Sequence, residues 1–404
     1  MSNVNRAQTA ALTVLPIFIL AHFSHHVATG ALAPLLPRLR DELGLDYSSA
    51  GVLVGAFTLT YGVMQIPAAA LGTRFSRRKL IALSMFGVGG CSVAVGLSFG
   101  YWQLAVLLAI MGMFGSGYHA LAAAFLSLTF DKEHRGRSLG THTIGGSASL
   151  LVTPVVAVGL AGLFNNWRAA YVILGVVPLL MGFLILTAVK QQEAAHARIV
   201  SASRGEKVSA LAVAKAIGLL MAIAMVASML GQSISGLLPL YLVDKHQVGP
   251  EVAGMVVGLV AGGGIVGAPL GGWLSDRFGR APVITGSLLL AGPLLYLFTI
   301  LPFGPGLLLV MTLYGLVLSA RMPVMESAIA DVVPPAQRGT ALGFYFFLTQ
   351  ETAAISTPVV GAFIDSYGAD PVLVNLAIIG GVTGVLALFI RISQPTAKMA
   401  SSGT

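Results

Sequence analysis

The chain has 404 residues, of which 56% are hydrophobic and only 9% are charged. A soluble globular domain carries roughly 25% charged residues, so this composition excludes a water-soluble protein and predicts one embedded in a lipid bilayer. The formal net charge of +8 is explained by a basic face beside anionic lipid headgroups and requires no nucleic-acid partner.

Apolar stretches of about 20 residues, the length that crosses a bilayer as a helix, recur along the whole chain. Because the membrane core offers no water, each stretch must satisfy its own backbone hydrogen bonds as a helix. We therefore predict an all-α membrane protein with twelve transmembrane helices. The spans are predicted at residues 12–36, 48–71, 79–98, 101–128, 139–163, 167–189, 210–243, 251–274, 281–301, 306–330, 340–363 and 372–391.

Lys and Arg are concentrated on one side of these spans. Most of the 23 basic residues lie at the two termini or in the connections after even-numbered spans, whereas the opposite side holds Arg38, Arg40, Arg168 and Lys245. By the positive-inside rule, we expect a multi-pass protein of the cytoplasmic (inner) membrane with both termini in the cytoplasm. The first span lacks the pattern of a cleaved signal peptide and is expected to be retained.

Two sequence patterns occur twice, 203 residues apart (277 − 74). Leu71-Gly-Thr-Arg-Phe-Ser-Arg77 returns as Leu274-Ser-Asp-Arg-Phe-Gly-Arg280, and Arg135-Gly-Arg-Ser-Leu-Gly140 returns as Arg338-Gly-Thr-Ala-Leu-Gly343. A repeat of half the chain length predicts two pseudo-symmetric six-helix bundles. We assign residues 1–190 to the first bundle, 191–209 to a polar cytoplasmic linker and 210–404 to the second bundle.

The repeated loops resemble those of the major facilitator superfamily (MFS) of secondary transporters. Gly272-Trp-Leu-Ser-Asp-Arg-Phe-Gly-Arg280 is similar to the family's loop motif, whereas the first-half copy has Thr73 in place of the acid. The resemblance implies the MFS fold and transport by alternating access, with these loops as a conformational switch that depends on Asp276. The alternative is that they only cap helices and fix topology. The switch residues are predicted to be Asp276, Arg277, Arg280, Arg74, Arg77, Arg135 and Arg338.

Polar residues within the spans are the candidates for a solute site, because such residues are costly in lipid and usually face a cavity or a partner. His22, His25, His26 and Thr29 follow helical spacing and lie on one face of the first span. In the family, the first, fourth, seventh and tenth helices line the central cavity. The predicted substrate-binding residues are Arg321, His119, Tyr118, His22, His25, Thr29, Gln232 and Gln350.

Glu326, Glu351 and His26 are the predicted proton-coupling residues, because a carboxyl group or imidazole in a cavity can load and release a proton. Arg321 is expected either to pair with Glu351 or to bind a substrate anion. A fixed ion pair that only holds helices together is the alternative.

The histidines of the first span could also form a hydrogen-bonding wall or ligate a transition metal. That helix offers no Asp, Glu or Cys to support a metal, so no metal site is predicted. The one cysteine, Cys91, lies in an apolar span and is expected to be a core residue. We expect no cofactor, with the proton as the coupling ion.

The predicted function combines the polar residues of the spans with the absence of catalytic motifs from the sequence. No Ser-His-Asp, H-E-x-x-H or paired-acid motif is present, so we predict no enzyme and no catalytic residues. Ser116 to His119 and the His-rich first span resemble, over these stretches, the fosmidomycin-resistance branch of exporters. We predict a monomeric, proton-coupled exporter of a small polar or anionic organic solute. An importer of an organic anion and a non-transporting membrane sensor are the alternatives.

Overall fold

The computed structural model describes residues 3–130, 132–190, 210–332 and 338–388, which form thirteen α-helices. The helices are α1 (Asn3–Thr29), α2 (Leu32–Leu43), α3 (Tyr47–Arg74), α4 (Arg77–Gly96), α5 (Tyr101–Thr129), α6 (Lys132–Leu163), α7 (Trp167–Ala188), α8 (Ala210–His246), α9 (Pro250–Phe278), α10 (Arg280–Ile300), α11 (Pro305–Val332), α12 (Arg338–Tyr367) and α13 (Ala369–Ala387). The predicted all-helical fold is confirmed. The predicted linker, 191–209, lies outside the described residues.

Within the described ranges, eleven helical segments are long and apolar enough to cross a membrane, with α1 and α2 together making the first. Of the predicted spans, only α12 is not among them, and its middle carries the polar pair Gln350 and Glu351. Many large apolar side chains stay exposed on the helices, such as Leu180 and Phe183, each 63% exposed. Such a surface suits lipid rather than water. The chain is a multi-pass membrane protein.

The first span differs from the prediction of one continuous helix, because it breaks between α1 and α2 at Gly30 and Ala31. Pro34, in the first turn of α2, has no N–H to donate to the carbonyl of Gly30, and in a continuous helix its ring would clash with that carbonyl. The chain closes α1 with a hydrogen bond of 2.8 Å from the N–H of Gly30 to the carbonyl of His26. The histidine face of α1 therefore ends next to a helix break.

Small residues allow the helices to approach one another closely within each half. A Cβ atom added at Gly112 of α5 would lie 2.3 Å from the carbonyl oxygen of Phe57 on α3. The equivalent atom at Gly315 of α11 would lie 1.8 Å from the carbonyl oxygen of Val260 on α9. Each half is thus packed through backbone contacts that only glycine permits.

The first half (α1–α7) meets the second half (α8–α13) along α3 and α12 and along α6 and α9. Across the first pair, a Cβ atom at Gly51 would lie 2.7 Å from the Cα atom of Pro358, and one at Gly361 would lie 2.4 Å from the carbonyl oxygen of Tyr47. A further contact is made by α9, where Gly254 packs against the carbonyl of Pro34 on α2. Two bundles that face one another in this way leave their inward-facing side chains close to a common interface.

Candidate functional site

Five histidines of the first half form one contiguous group, which we call the histidine cluster: His22, His25, His26, His119 and His142. The first three come from α1, His119 from α5 and His142 from α6. The ring centroids of His22, His26 and His119 are 5.0 Å apart in every pairing, and His22 stacks on His142 at 4.4 Å. The predicted face of α1 is therefore joined by imidazoles from two other helices.

Glycines of α6 let the cluster form at this density. A Cβ atom at Gly145 would lie 2.1 Å from the carbonyl oxygen of Ile19, and one at Gly146 would lie 2.6 Å from Nε2 of His22. A larger residue at either position would push α6 away from α1 or displace the His22 ring. The small residues thus set the distance at which the imidazoles meet.

A chain of hydrogen bonds fixes the orientation of two cluster rings. The hydroxyl of Tyr118 donates to the carbonyl of Phe18 at 2.9 Å, so its oxygen accepts from Nε2–H of His142 at 3.0 Å. Nδ1–H of His22 donates to the carbonyl of His142 at 3.1 Å. Because a carbonyl can only accept, these partners assign the proton of His22 to Nδ1 and leave the lone pair on Nε2.

Burial differs sharply among the predicted residues of the first half. His22, His25 and Tyr118 are buried, whereas His26, His119 and Thr29 are partly exposed. Thr29 donates to the carbonyl of His25 at 3.0 Å, which caps the end of the face. His26 and His119 are therefore the imidazoles of the predicted set that keep accessible surface.

Arg321 of α11 is the buried cation of the second half, with 8% of its surface exposed. Its Nη1 atom is buried and has no hydrogen-bond partner among the described residues. The groups close enough to interact with it electrostatically are the phenols of Tyr314 and Tyr345, both buried. The expected ion pair with Glu351 is not formed between these described residues.

Glu326 and Glu351 lie on different surfaces. Glu326 is partly exposed on α11, near Tyr345. Glu351 lies between the halves, because a Cβ atom at Gly62 of α3 would be 2.3 Å from its Oε1 atom. That oxygen is buried without a hydrogen-bond partner in the described part of the chain. The carboxyl group of Glu351 thus contacts a surface that must move if the halves move.

The two predicted glutamines also meet. Nε2 of Gln232 on α8 donates to Oε1 of Gln350 on α12 at 3.2 Å. Next to this pair, the hydroxyl groups of Ser233 and Ser356 lie 2.9 Å apart. The two predicted glutamines of the second half are therefore linked by a polar contact between α8 and α12.

Ion pairs join the halves at the end of the bundle where α2 meets α3. Nε of Arg38 donates to Oε1 of Glu251 at 3.0 Å, and Nη1 of Arg40 lies 2.7 Å from Oδ2 of Asp244. The hydroxyl of Tyr47 donates to the same Asp244 oxygen at 2.8 Å. These contacts hold the two halves together at this end.

Asp365 of the second half caps α3 of the first half. Its two carboxylate oxygens accept from the backbone N–H groups of Tyr47 and Ser48 at 2.9 and 2.8 Å. Asp46 of the same turn accepts from the N–H of Ser49 at 2.7 Å, and hydrogen bonds from Ser49 lower the pKa of the Asp46 carboxyl. An acid from one bundle thus satisfies the helix end of the other. We call Arg38, Arg40, Tyr47, Ser48, Asp244, Glu251 and Asp365 the inter-half latch.

The predicted switch loops lie at the other end of the bundle. Asp276 pairs locally with Arg280 at 2.9 Å and is 75% exposed, and Arg277 stacks over Trp273 with its Cζ atom 5.7 Å from the ring centroid. Arg74 is exposed and Arg77 partly so. The side chains of Thr73, Arg135 and Arg338 lie outside the described set. Asp276 therefore pairs within its own half in this structure.

Sequence reasoning missed the inter-half latch, although a signal for it was present. The four basic residues on the side poor in Lys and Arg all form ion pairs, because Arg168 pairs with Glu42 and Lys245 with Asp370, in addition to the two latch pairs. The signal is a basic residue on the side of the membrane that is poor in Lys and Arg, together with an acidic residue at the end of another span on that side.

Comparison with known proteins agrees with this architecture. A model of the Major Facilitator Superfamily matches residues 18–220 and 219–404. The chain is 25% identical over 341 residues to "Multidrug resistance protein MdtG" of Proteus mirabilis, covering 82% of this chain and 84% of that one. It is 24% identical over 404 residues to "Probable sulfoacetate transporter SauU" of Cupriavidus necator, covering 94% and 93%.

A solved structure has the same fold. It is a bacterial homologue of the human lysosomal transporter Spinster in an inward-facing, occupied conformation, with a TM-score of 0.78 at 16% identity, covering 93% of this chain and 96% of that one. At that identity the likeness concerns the fold alone. The family match spans nearly the whole chain in two parts, which meet at residues 219–220 within α8. The chain belongs to the Major Facilitator Superfamily of membrane transporters.

Proposed function

We propose that the protein is a proton-coupled secondary transporter that exports a small polar or anionic organic solute across the cytoplasmic membrane by alternating access. The observation that carries this proposal is the buried guanidinium of Arg321, whose Nη1 atom has no partner in the described part of the chain. The cytoplasmic location of both termini belongs to the same proposal and rests on the distribution of Lys and Arg.

An unpaired buried cation is unfavourable unless an anion completes its site. Removing a charge from water costs several kcal/mol, and a carboxylate or sulfonate that binds Arg321 restores the lost interactions. The guanidinium fork suits such planar or tetrahedral oxyanions. Beside it, Tyr345 can contribute a hydroxyl group or a ring face to an organic solute, and Tyr314, whose hydroxyl donates to the carbonyl of Leu230 at 3.3 Å, can contribute a ring face.

Proton coupling is proposed to run through the carboxyl groups of Glu326 and Glu351. Neither forms an ion pair within the described residues, so each is free to change its charge. Glu351 lies against Gly62 of the opposite half, so rocking of the halves changes its exposure and its proton affinity. His26 stays a predicted proton carrier, because its imidazole ring is partly exposed and can load and release a proton.

Import of an organic anion is the second candidate. It is favoured by the similarity to the probable sulfoacetate transporter, whereas export is favoured by the similarity to the multidrug resistance protein. The anion site is the same in both cases, so the direction of the proton gradient that drives accumulation distinguishes them.

The test uses the full chain reconstituted into liposomes, after a thermal-shift screen of solutes at two pH values has identified a ligand. We expect an imposed pH gradient to drive accumulation in the wild type, and Glu326→Gln or Glu351→Gln to abolish that drive while exchange of solute continues. Asp41→Asn, which removes an exposed carboxylate at the bundle end, is the matched control and should leave coupling intact. Unchanged coupling in both glutamine variants would refute the carboxylate pathway.

A further inference from the structure

We propose that His22, His26 and His119 bind a divalent transition-metal ion inside the first half. One ring nitrogen from each of the three lies within 4.8 Å of the others. Three neutral imidazoles with an open fourth position are a common donor set for Zn²⁺ and its neighbours. The sequence argued against a metal because α1 carries no Cys or acid, but the third ligand comes from α5, which spacing on α1 cannot reveal.

The geometry needs only a small adjustment to hold an ion. Zn–N bonds of about 2.0 to 2.1 Å in a tetrahedral site place ligand nitrogens roughly 3.4 Å apart. Side-chain rotations that move each ring nitrogen by roughly 1 Å would bring the three nitrogens from their present separation to this spacing. His26 and His119 are partly exposed, and this accessible surface is where the ion and a fourth ligand would enter.

The hydrogen bond of His22 gives it the tautomer of a metal ligand. Its Nδ1–H donates to the carbonyl of His142, so the lone pair is on Nε2. Histidines that ligate metals generally donate their second nitrogen in this way, which fixes the tautomer and increases ligand basicity. The hydrogen bond from Nε2–H of His142 to the Tyr118 hydroxyl holds the ring of His142, the residue whose carbonyl accepts from His22, in place.

His25 shows that the hydrogen bonds of the histidine cluster are incomplete among the described residues. It is fully buried, and neither of its ring nitrogens has a hydrogen-bond partner in the described part of the chain. Its ring centroid is 5.0 Å from that of His26 and 5.3 Å from that of His119. A cluster that served only as a hydrogen-bonding wall would satisfy these nitrogens, because orphaned polar atoms are rare in folded proteins.

The bound ion would link α1 to α5 within one half, and with His26 as a ligand the proton coupling would depend on Glu326 and Glu351. All three ligands belong to the first half, so the site stays intact when the two halves rock against each other. No carboxylate of a described residue forms a hydrogen bond or ion pair with the five rings, so the ion would retain its positive charge. That charge favours water or an anion at the fourth position.

The experiment measures Zn²⁺ binding to the full chain, purified through a tag without histidine and treated with a chelator. We expect one high-affinity Zn²⁺ per chain and an increase in Tm on adding Zn²⁺. His22→Gln, His26→Gln and His119→Gln should each weaken affinity about 10- to 100-fold or more. His246→Gln, at the end of α8, is the matched control and should bind like the wild type.

Two outcomes would overturn the inference: a wild type that binds no Zn²⁺, or Gln variants that bind as tightly as His246→Gln. A variant that folds poorly is identified by its Tm without metal. For that case, Co²⁺ added to the wild type provides a second measurement. Visible bands of a tetrahedral Co²⁺ complex that Zn²⁺ displaces support the site, whereas a spectrum of octahedral aqueous Co²⁺ contradicts it.

Discussion

The two halves share their packing and differ in their chemistry. Gly112 against the carbonyl of Phe57 and Gly315 against the carbonyl of Val260 are the same contact, because both residues of each pair are related by the 203-residue repeat. A backbone contact of this kind tolerates no side chain, so duplication has preserved it. The arrangement of the helices therefore depends on positions where close contact with a neighbouring backbone permits only glycine.

The polar residues of the membrane interior show the opposite behaviour. The first half has a cluster of imidazoles, and the second half has Arg321 with two carboxyl groups. At the repeat positions of His22, His26 and His119, the second half has Met225, Met229 and Met322. Duplicated packing thus supports two unlike sites, which is what binding an asymmetric solute requires.

The largest effect that distinguishes the two halves is expected from Arg321→Ala. Removing the guanidinium costs an anionic solute a charge-assisted hydrogen bond of about 1.5 to 3 kcal/mol, or about 10- to 100-fold in affinity. A neutral solute should lose far less, and Arg321→Lys should retain part of the anion affinity. Equal losses for neutral and anionic solutes, measured by thermal shift, would make Arg321 a structural residue.

The shared packing predicts a smaller effect that should be equal in both halves. Gly112→Ala and Gly315→Ala each force a Cβ atom against a backbone carbonyl, and overpacking of this kind costs about 1 to 3 kcal/mol. We expect a clear decrease in Tm for both variants. Gly90→Ala and Gly286→Ala, where no heavy atom lies within 4 Å of the added carbon, are the matched controls and should be neutral or slightly stabilising. A loss confined to one half would contradict equivalent packing.

The smallest effects are expected from the two ends of the bundle. Asp365→Asn weakens a cap that joins the halves, at a cost of about 1 kcal/mol, and should increase the population open at the latch end. Asp276→Asn breaks an exposed pair within one half and should cost about 0.2 to 1 kcal/mol. Distances between spin labels placed across the latch end measure the open population in both variants. A larger increase in that population for Asp276→Asn than for Asp365→Asn would contradict the conclusion that the halves are held together at the latch end.

The sequence was sufficient to predict the helical spans and the duplication, because apolar length and a fixed repeat are local properties of a chain. The shared face of His22, His25 and His26 also followed from helical spacing alone. The break at Gly30 depends on one missing hydrogen bond, at Pro34, where a proline near the end of a span is expected to kink or cap the helix. A proline that cannot donate a backbone hydrogen bond interrupts the helix even inside a long apolar stretch.

What the sequence could not supply is the relative placement of helices. His119 and His142 join the α1 histidines only because α5 and α6 approach α1 through glycines, and Glu351 meets Gly62 only because α12 packs on α3. Such contacts depend on crossing angles and helix rotation, which periodicity does not encode. The metal-ligand geometry and the inter-half latch were missed for the same reason.

The latch end has a consequence for how charged molecules approach the protein. Its four basic residues all pair with acids, and Arg40 also lies 3.8 Å from Asp41. With the further carboxylates of Asp41, Asp46 and Asp365, the acids at this end outnumber the basic residues. The opposite end keeps exposed basic residues such as Arg74 and Lys79. The electric field therefore repels anions at the latch end and concentrates them at the other, so capture of an anionic solute from that side should slow as ionic strength rises.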